Sequence, residues 1–255
     1  GVLLAARAYQ NDQIIGGKVA DEFIKLGVPV LLPESLPPVA TSELLKLRVD
    51  TVNPFQVRMY SAAIYAARHP NLEVVQLVSF GCGHDPIVGD ELNRVVSAVS
   101  DKAVLQIKVD EGDAEAPLSL RVRSFVETVR ARRMRRATAP KPSPRSLPRP
   151  FPIRFQRKHK KDRVIFTPNI SQAHCDVIAA ITARSGYRSQ PMPVADRRAV
   201  ELVKRYVHGD VCFPAHINIG EILRVLETSP LRPSEIAIGF GKICDDCRSV
   251  QYSAL

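Results

Sequence analysis

Residues 72–80 read LEVVQLVSF: valines and leucines follow one another without glycine or proline, and Glu73, Gln76 and Ser79 do not fall into strict alternation. A short apolar run of this kind fits a strand buried on both faces, as a parallel sheet covered by helices requires. GCG follows at once (81–83), and helical spacing then predicts a helix over residues 89–99. Strand, tight turn and helix make half of a βαβ unit, and the pattern repeats in both directions. Upstream, VLLAA (2–6) reads as a strand, residues 16–26 as a helix with Val19, Phe23 and Leu26 on one face, VPVLL (28–32) as a strand ended by PESLPP, and residues 57–68 as a helix. Downstream, AVLQIKV (103–109) reads as a strand and residues 118 to about 135 as a helix.

The composition then changes. Residues 137–152, ATAPKPSPRSLPRPFP, hold six prolines and no acid, which excludes a helix or a central strand and fits a semi-rigid linker. Beyond it the alternation resumes: DRVIFTP (162–168) as a strand, 172–185 as a helix, YRSQPMP (187–193) as an irregular edge strand, 196–206 as a helix, HGDVCFP (208–214) as a loop, 215–227 as a helix and EIAIGFG (235–241) as a strand. The expected fold is α/β, two Rossmann-like or flavodoxin-like lobes with mainly parallel sheets. The expected division is a first lobe over 1–136, an Arg/Pro-rich basic linker over 137–161 and a truncated second lobe over 162–255.

The totals narrow the function classes. The net charge of +10 is local: Arg130 to Arg163 hold 14 Lys and Arg against one acid, so the remainder is slightly acidic. That segment has few aromatics and no helix-turn-helix or base-stacking signature, so nucleic acid is not the expected partner; it reads as a solvated linker, with docking to an acidic partner as second choice. No apolar run is long enough for a membrane span and no secretory signal is seen, so the expectation is a cytoplasmic protein with reduced thiols. The chain starts at Gly1 and breaks off at Leu255, which suggests a fragment of a longer polypeptide. Neither GxxxxGK[ST] nor GxGxxG occurs, so no ATP or dinucleotide site is expected on this chain.

The five cysteines, Cys82, Cys175, Cys212, Cys244 and Cys247, carry the chemistry. Ligands of open α/β sheets sit beyond the carboxyl ends of the strands. Cys82 follows one strand, Cys244 and Cys247 follow another as CxxC, and Cys212 precedes Pro214 at an expected helix start, a setting that favours thiolates. Gly81 and Gly83 leave room for a bulky inorganic core and for backbone N–H groups turned toward sulfur. The bland alternative makes Cys82 a small buried residue in a turn, with Asp85 capping the next helix. Zinc held by the CxxC pair, Cys244 and Cys247, drawing on Cys212 and His208 or His216, is a second alternative. Cys175, inside a helical pattern, is expected in the core, and Asp110 and Glu111 read as a solvated turn or as a clamp for a cation.

In order along the chain, LEVVQLVSFGCGHDP, LQIKVDEGDAEAPLSLRVRSF, DRVIFTPNISQAHCDVI, VHGDVCFPAHINIGEIL and GFGKICDDCRSVQY resemble the 2-hydroxyacyl-CoA dehydratase-related, cluster-binding region of acyl-CoA dehydratase activase-related proteins. The same region is similar to dehydratase subunits and double-cubane cluster proteins. The resemblance implies an iron–sulfur protein of anaerobic metabolism, with a 4Fe-4S cluster, single or half of a double cubane, and low-potential electron transfer. It implies Cys82, Cys212 and Cys247 as ligands, Cys244 as a possible substitute, and Arg248 offsetting cluster charge. ATP would sit only on a separate activase module, and that module or a dehydratase subunit would be the partner, with an acyl-CoA substrate and a homodimer both allowed. No catalytic residue is assigned, and activity of the chain alone is not expected. Lys242–Asp246, KICDD, departs from the glycine-rich approach common in relatives.

Overall fold

The apolar run that decides the fold is strand β3 (Glu73–Ser79), buried over six of its seven residues. The computed structural model describes the chain except residues 13–15, 50–52, 80–82, 110–114, 137–146, 149–154, 170, 242–250 and 254–255. The chain divides into two units, Gly1–Pro150 and Phe151–Leu255, a boundary that falls within the stretch read as a linker.

Unit 1 runs β1 (Val2–Ala5), α1 (Lys18–Lys25), β2 (Val30–Leu31), α2 (Thr41–Leu44), α3 (Pro54–Arg68), β3, α4 (Asp85–Val99), β4 (Val104–Val109) and α5 (Glu115–Arg136). Its four strands are parallel in the order β2-β1-β3-β4, with Val2 opposite Glu73 and Val74 opposite Val104. These are the first four places of the 2-1-3-4-5 flavodoxin-like order, not of the Rossmann order. Period-two alternation sends Val2, Leu4, Val75, Leu77 and Ile107 to one face, where Val19 and Phe23 of α1 and Val122 and Val126 of α5 close the core. Helices α3 and α4 pack on each other and on β1 and β3. β2 is cut to two residues because Pro29 and Pro33 flank it, which an edge strand tolerates. The buried Lys102 donates from Nζ to the carbonyls of Ala66, His69 and Leu72 (2.8, 2.5 and 2.7 Å), satisfying carbonyls at the end of α3 and fixing the start of β3.

Unit 2 runs α6 (His159–Asp162), β5 (Val164–Thr167), α7 (Gln172–Arg184), β6 (Arg188–Pro191), α8 (Arg197–Val203), α9 (Phe213–Thr228) and β7 (Ile236–Ile238). Its strands are again all parallel, in the order β6-β5-β7. Val164, Phe166, Met192, Val225 and Ile236 form the core between sheet and α9. α8 and α9 approach closely at Gly220, where a Cβ would lie 2.6 Å from the Ala199 carbonyl oxygen. Among the described residues no helix is long and apolar enough to cross a membrane.

Candidate functional site at the carboxyl edges of the sheets

In both units the first strand lies between the second and the third, so the chain leaves it in opposite directions and a crevice opens beyond the carboxyl ends of strands one and three. Cys82 follows the third strand of unit 1; Cys244 and Cys247 follow the third strand of unit 2.

In unit 1 the floor of that crevice is an ionic network. Asp85, 2% exposed, accepts the backbone N–H of Ser79 at 2.7 Å, the Nη2 of Arg7 and, at 3.4 Å, the Nε2 of Gln10. Gln10 also donates to Ser79 Oγ (2.7 Å) and accepts the Arg7 N–H through Oε1 (2.7 Å), while Arg7 Nη1 donates to Tyr9 Oη (3.1 Å). The expected helix-capping role of Asp85 is thus corrected. α4 starts at Asp85 itself, and the carboxylate reaches back to the end of β3 and across to the segment after β1, because it is the anion that the Arg7 guanidinium and the Ser79 N–H both need. A ladder continues beneath it, from Gln106 Nε2 to Gln76 Oε1 (3.1 Å) and from Gln76 Nε2 to the Asp85 carbonyl (3.3 Å). The network therefore ties the end of β3 to the start of α4, on either side of the residues that include Cys82. Gly83 is buried in the turn before α4; Cys82 and Gly81 lie outside the described residues.

In unit 2 the corresponding ties carry no ion pair among the described residues. Glu221, 2% exposed on α9, accepts the Asn169 N–H at 2.9 Å just past β5, and Asn169 Nδ2 donates to the Met192 carbonyl at 2.7 Å just past β6. Burial pushes the Glu221 carboxyl above its ordinary 4.5, against the backbone hydrogen bonds from Asn169 and Ala195 that pull it down. The Thr167 carbonyl accepts the Cys175 thiol (2.9 Å), and burial raises that thiol, so Cys175 sits in the core as expected.

Cys212 is the residue immediately before α9, half-buried, with φ −59° and ψ 145° and no capping bond from its side chain. Its Sγ lies 2.7 Å from Tyr252 Oη. Tyr252 packs edge-on to Phe240 (6.5 Å between ring centroids), and both join Cys212 on the core formed by Val203, Val207, Val211, Ala215 and Ile219. The described residues on either side of the segment 242–250 are thus anchored beside the Cys212 thiol. Cys244, Cys247 and Arg248 lie in that segment, outside the described residues; Asp110 and Glu111, in residues 110–114, lie outside them as well. The histidines weighed as zinc ligands are engaged locally: His216 Nε2 with the His208 carbonyl (3.2 Å), and His208 Nδ1 with the Asp210 N–H (3.2 Å). Among the described residues no three His, Cys, Asp or Glu side chains group as a metal site.

No family model, curated protein or solved structure matches the chain.

The basic segment is partly structural. Arg132 and Arg133, near the end of α5, pair with the buried Glu73 (2.6 and 3.3 Å), and Arg130 pairs with Glu127. Arg7, Gln10, Glu221 and Tyr252 were not singled out from the sequence. Arg7 and Gln10 had one usable signal, their place directly after a central strand; Tyr252 and Glu221 had none.

Proposed function

We propose that the chain is the iron–sulfur, low-potential electron-transfer component of a 2-hydroxyacyl-CoA dehydratase/activase system, a cytoplasmic piece of a larger ATP-dependent protein. Cys82, Cys212 and Cys247 hold a 4Fe-4S cluster, with Cys244 able to substitute and Arg248 offsetting its charge. The observation that carries the reading is the setting of Cys212. It occupies a helix N-cap position without capping, half-exposed at the positive end of a 16-residue helix, beside the anchored flanks of the segment that holds Cys244 and Cys247. The ordered motifs supply the iron–sulfur assignment; the geometry supplies a sulfur ligand with access. Bound there, such a cluster provides one-electron transfer at low potential. This chain's own residues place the Cys212 thiol and hold Ser79 and Asp85 on either side of the residues that include Cys82, while ATP and any acyl-CoA chemistry belong to the activase module and the dehydratase subunit.

The test is iron and acid-labile sulfide content after purification and reconstitution without oxygen. About four of each per chain are expected, lost in Cys82→Ala, Cys212→Ala or Cys247→Ala with the fold retained. Stoichiometric zinc, or a folded protein without metal, overturns the cluster and favours the alternative, a zinc-stabilised or metal-free docking module whose basic stretch holds acidic partners.

A further inference from the structure

The hydroxyl of Tyr252 is surplus to the packing around its ring. Tyr252 is 6% exposed and lies in a single 3₁₀ turn, residues 251–253. Its ring joins the apolar core around Val207, Ala215 and Ile219 and meets Phe240 edge-on, with the ring planes at 83°. A phenylalanine ring would serve those neighbours as well. A buried phenol calls for a hydrogen-bond partner, and Oη lies 2.7 Å from the Cys212 sulfur.

The direction of that bond follows from the chemistry of sulfur. A thiol can donate or accept, but a sulfur that ligates a metal has lost its proton and only accepts, so the phenol is then the donor. Both partners are held from behind. The Cys212 carbonyl accepts the Ala215 N–H at 2.9 Å, which fixes its backbone at the start of α9, while its side chain caps nothing and is left to the phenol. The Tyr252 ring is wedged against Phe240 on the same core.

We propose, resting on the 4Fe-4S reading, that Tyr252 is a positioning residue acting through Cys212: its O–H donates to the Cys212 sulfur and raises the reduction potential of the cluster. Reduction adds one electron, delivered by a low-potential donor. No bond forms or breaks, and the phenol keeps its proton. The added negative charge is shared by the ligating sulfurs, so a donor aimed at one of them stabilises the reduced form more than the oxidised one. Groups that touch a ligand rather than the metal tune a centre in this way. Without the hydroxyl the potential falls, and the partner has to deliver its electron at a lower one.

The experiment is a redox titration of the 255-residue chain reconstituted without oxygen, with dithionite or titanium(III) citrate as reductant and electron paramagnetic resonance as the readout. Iron content and far-UV circular dichroism are measured on every variant. Tyr252→Phe is expected to keep its iron and its fold and to lower the one-electron reduction constant about three- to tenfold, about 28–59 mV. Phe240→Leu disturbs the same packing, keeps the hydroxyl and leaves the potential unchanged. Replacing the tyrosines of the parent by 3-fluorotyrosine, whose more acidic phenol donates more strongly, raises the potential; this measurement decides the matter if Tyr252→Phe fails to hold iron. A potential that does not fall in Tyr252→Phe, that falls equally in Phe240→Leu, or that does not rise with 3-fluorotyrosine overturns the role of Tyr252 and leaves the cluster standing. A folded parent that takes up no iron overturns both.

Discussion

Helices α3 and α9 hold the same place in their units, each leading into the third strand, yet they begin differently. Unit 1 starts α3 with Asn53, whose side chain accepts the Phe55 N–H at 2.9 Å; unit 2 starts α9 with Cys212, whose sulfur makes no capping bond and turns to Tyr252. The buried carboxylates differ in parallel. Asp85 has a guanidinium partner, whereas Glu221 is held by backbone N–H groups and its proton affinity rises with burial. The difference teaches that unit 1 pairs its buried carboxylate with a cation and caps its helix, while unit 2 leaves a cap position unused for stability and its buried carboxyl without an ion pair among the described residues. Positions that forgo available stabilisation are where function is sought.

The comparison breaks most visibly at Asp85. Asp85→Ala removes the acceptor of the Arg7 Nη2 and of the Ser79 N–H and should cost about 3 kcal/mol, read from urea denaturation. Asp85→Asn keeps one acceptor and should cost less; equal losses would mean that the neutral acceptor contributes nothing and the charge carries the whole effect. Gly220→Ala comes next, at about 2 kcal/mol, because its Cβ meets the Ala199 backbone, which cannot rotate aside; the loss belongs to unit 2.

The pH response sharpens the contrast through two glutamates of opposite direction. For Glu221 the folded value lies above 4.5, so its contribution is full below about that pH and is lost as pH rises through the folded value. Glu221→Gln should therefore gain on the parent as pH increases. Burial also pushes Glu91 of unit 1 up, but hydrogen bonds from Arg94 and Arg48 outweigh that and its carboxyl falls below 4.5. Its contribution is present above 4.5 and is lost as pH falls through the folded value, so the penalty of Glu91→Gln should shrink on acidification. Stability curves of both variants from pH 3 to 8 check this, and slopes of the same sign would refute it. The smallest effect is expected from Cys212→Asn, which gives α9 the cap that α3 has. Metal-free protein should gain about 0.5–1 kcal/mol, while iron binding falls. A stabilised variant that keeps its iron would separate Cys212 from the proposed cluster.

The fold was legible where burial imposes a period on the chain. The run around Val74–Val78 read as a two-sided strand, and α3, α5, α7 and α9 stood out by helical spacing, with Pro214 marking the start of α9; α3 and α5 begin three residues earlier than that spacing shows. The first turn of α4 was missed because Asp85, Pro86 and Gly89 look like a turn when read locally. What makes Asp85 helical and buried is Arg7, 78 residues away, and no local pattern reports a pair that distant. Cys212 was legible through Pro214, which marks a helix start. Glu221 was not, since a glutamate in an amphipathic helix ordinarily faces water, and only the close approach of α8 at Gly220 and of the loop at Asn169 buries it.

The strand order also bears on how the protein is made. In each sheet the first strand synthesised is an interior one, and its second neighbour arrives late: Val2 must wait for Glu73 and Val164 for Ile236, about 70 residues each. At roughly 5 to 20 residues per second, a nascent chain carries that strand with an open edge for about 4 to 14 s. Two such intervals occur in succession on the ribosome, so the yield of folded protein depends on what shields β1 and then β5 while each waits for its neighbour.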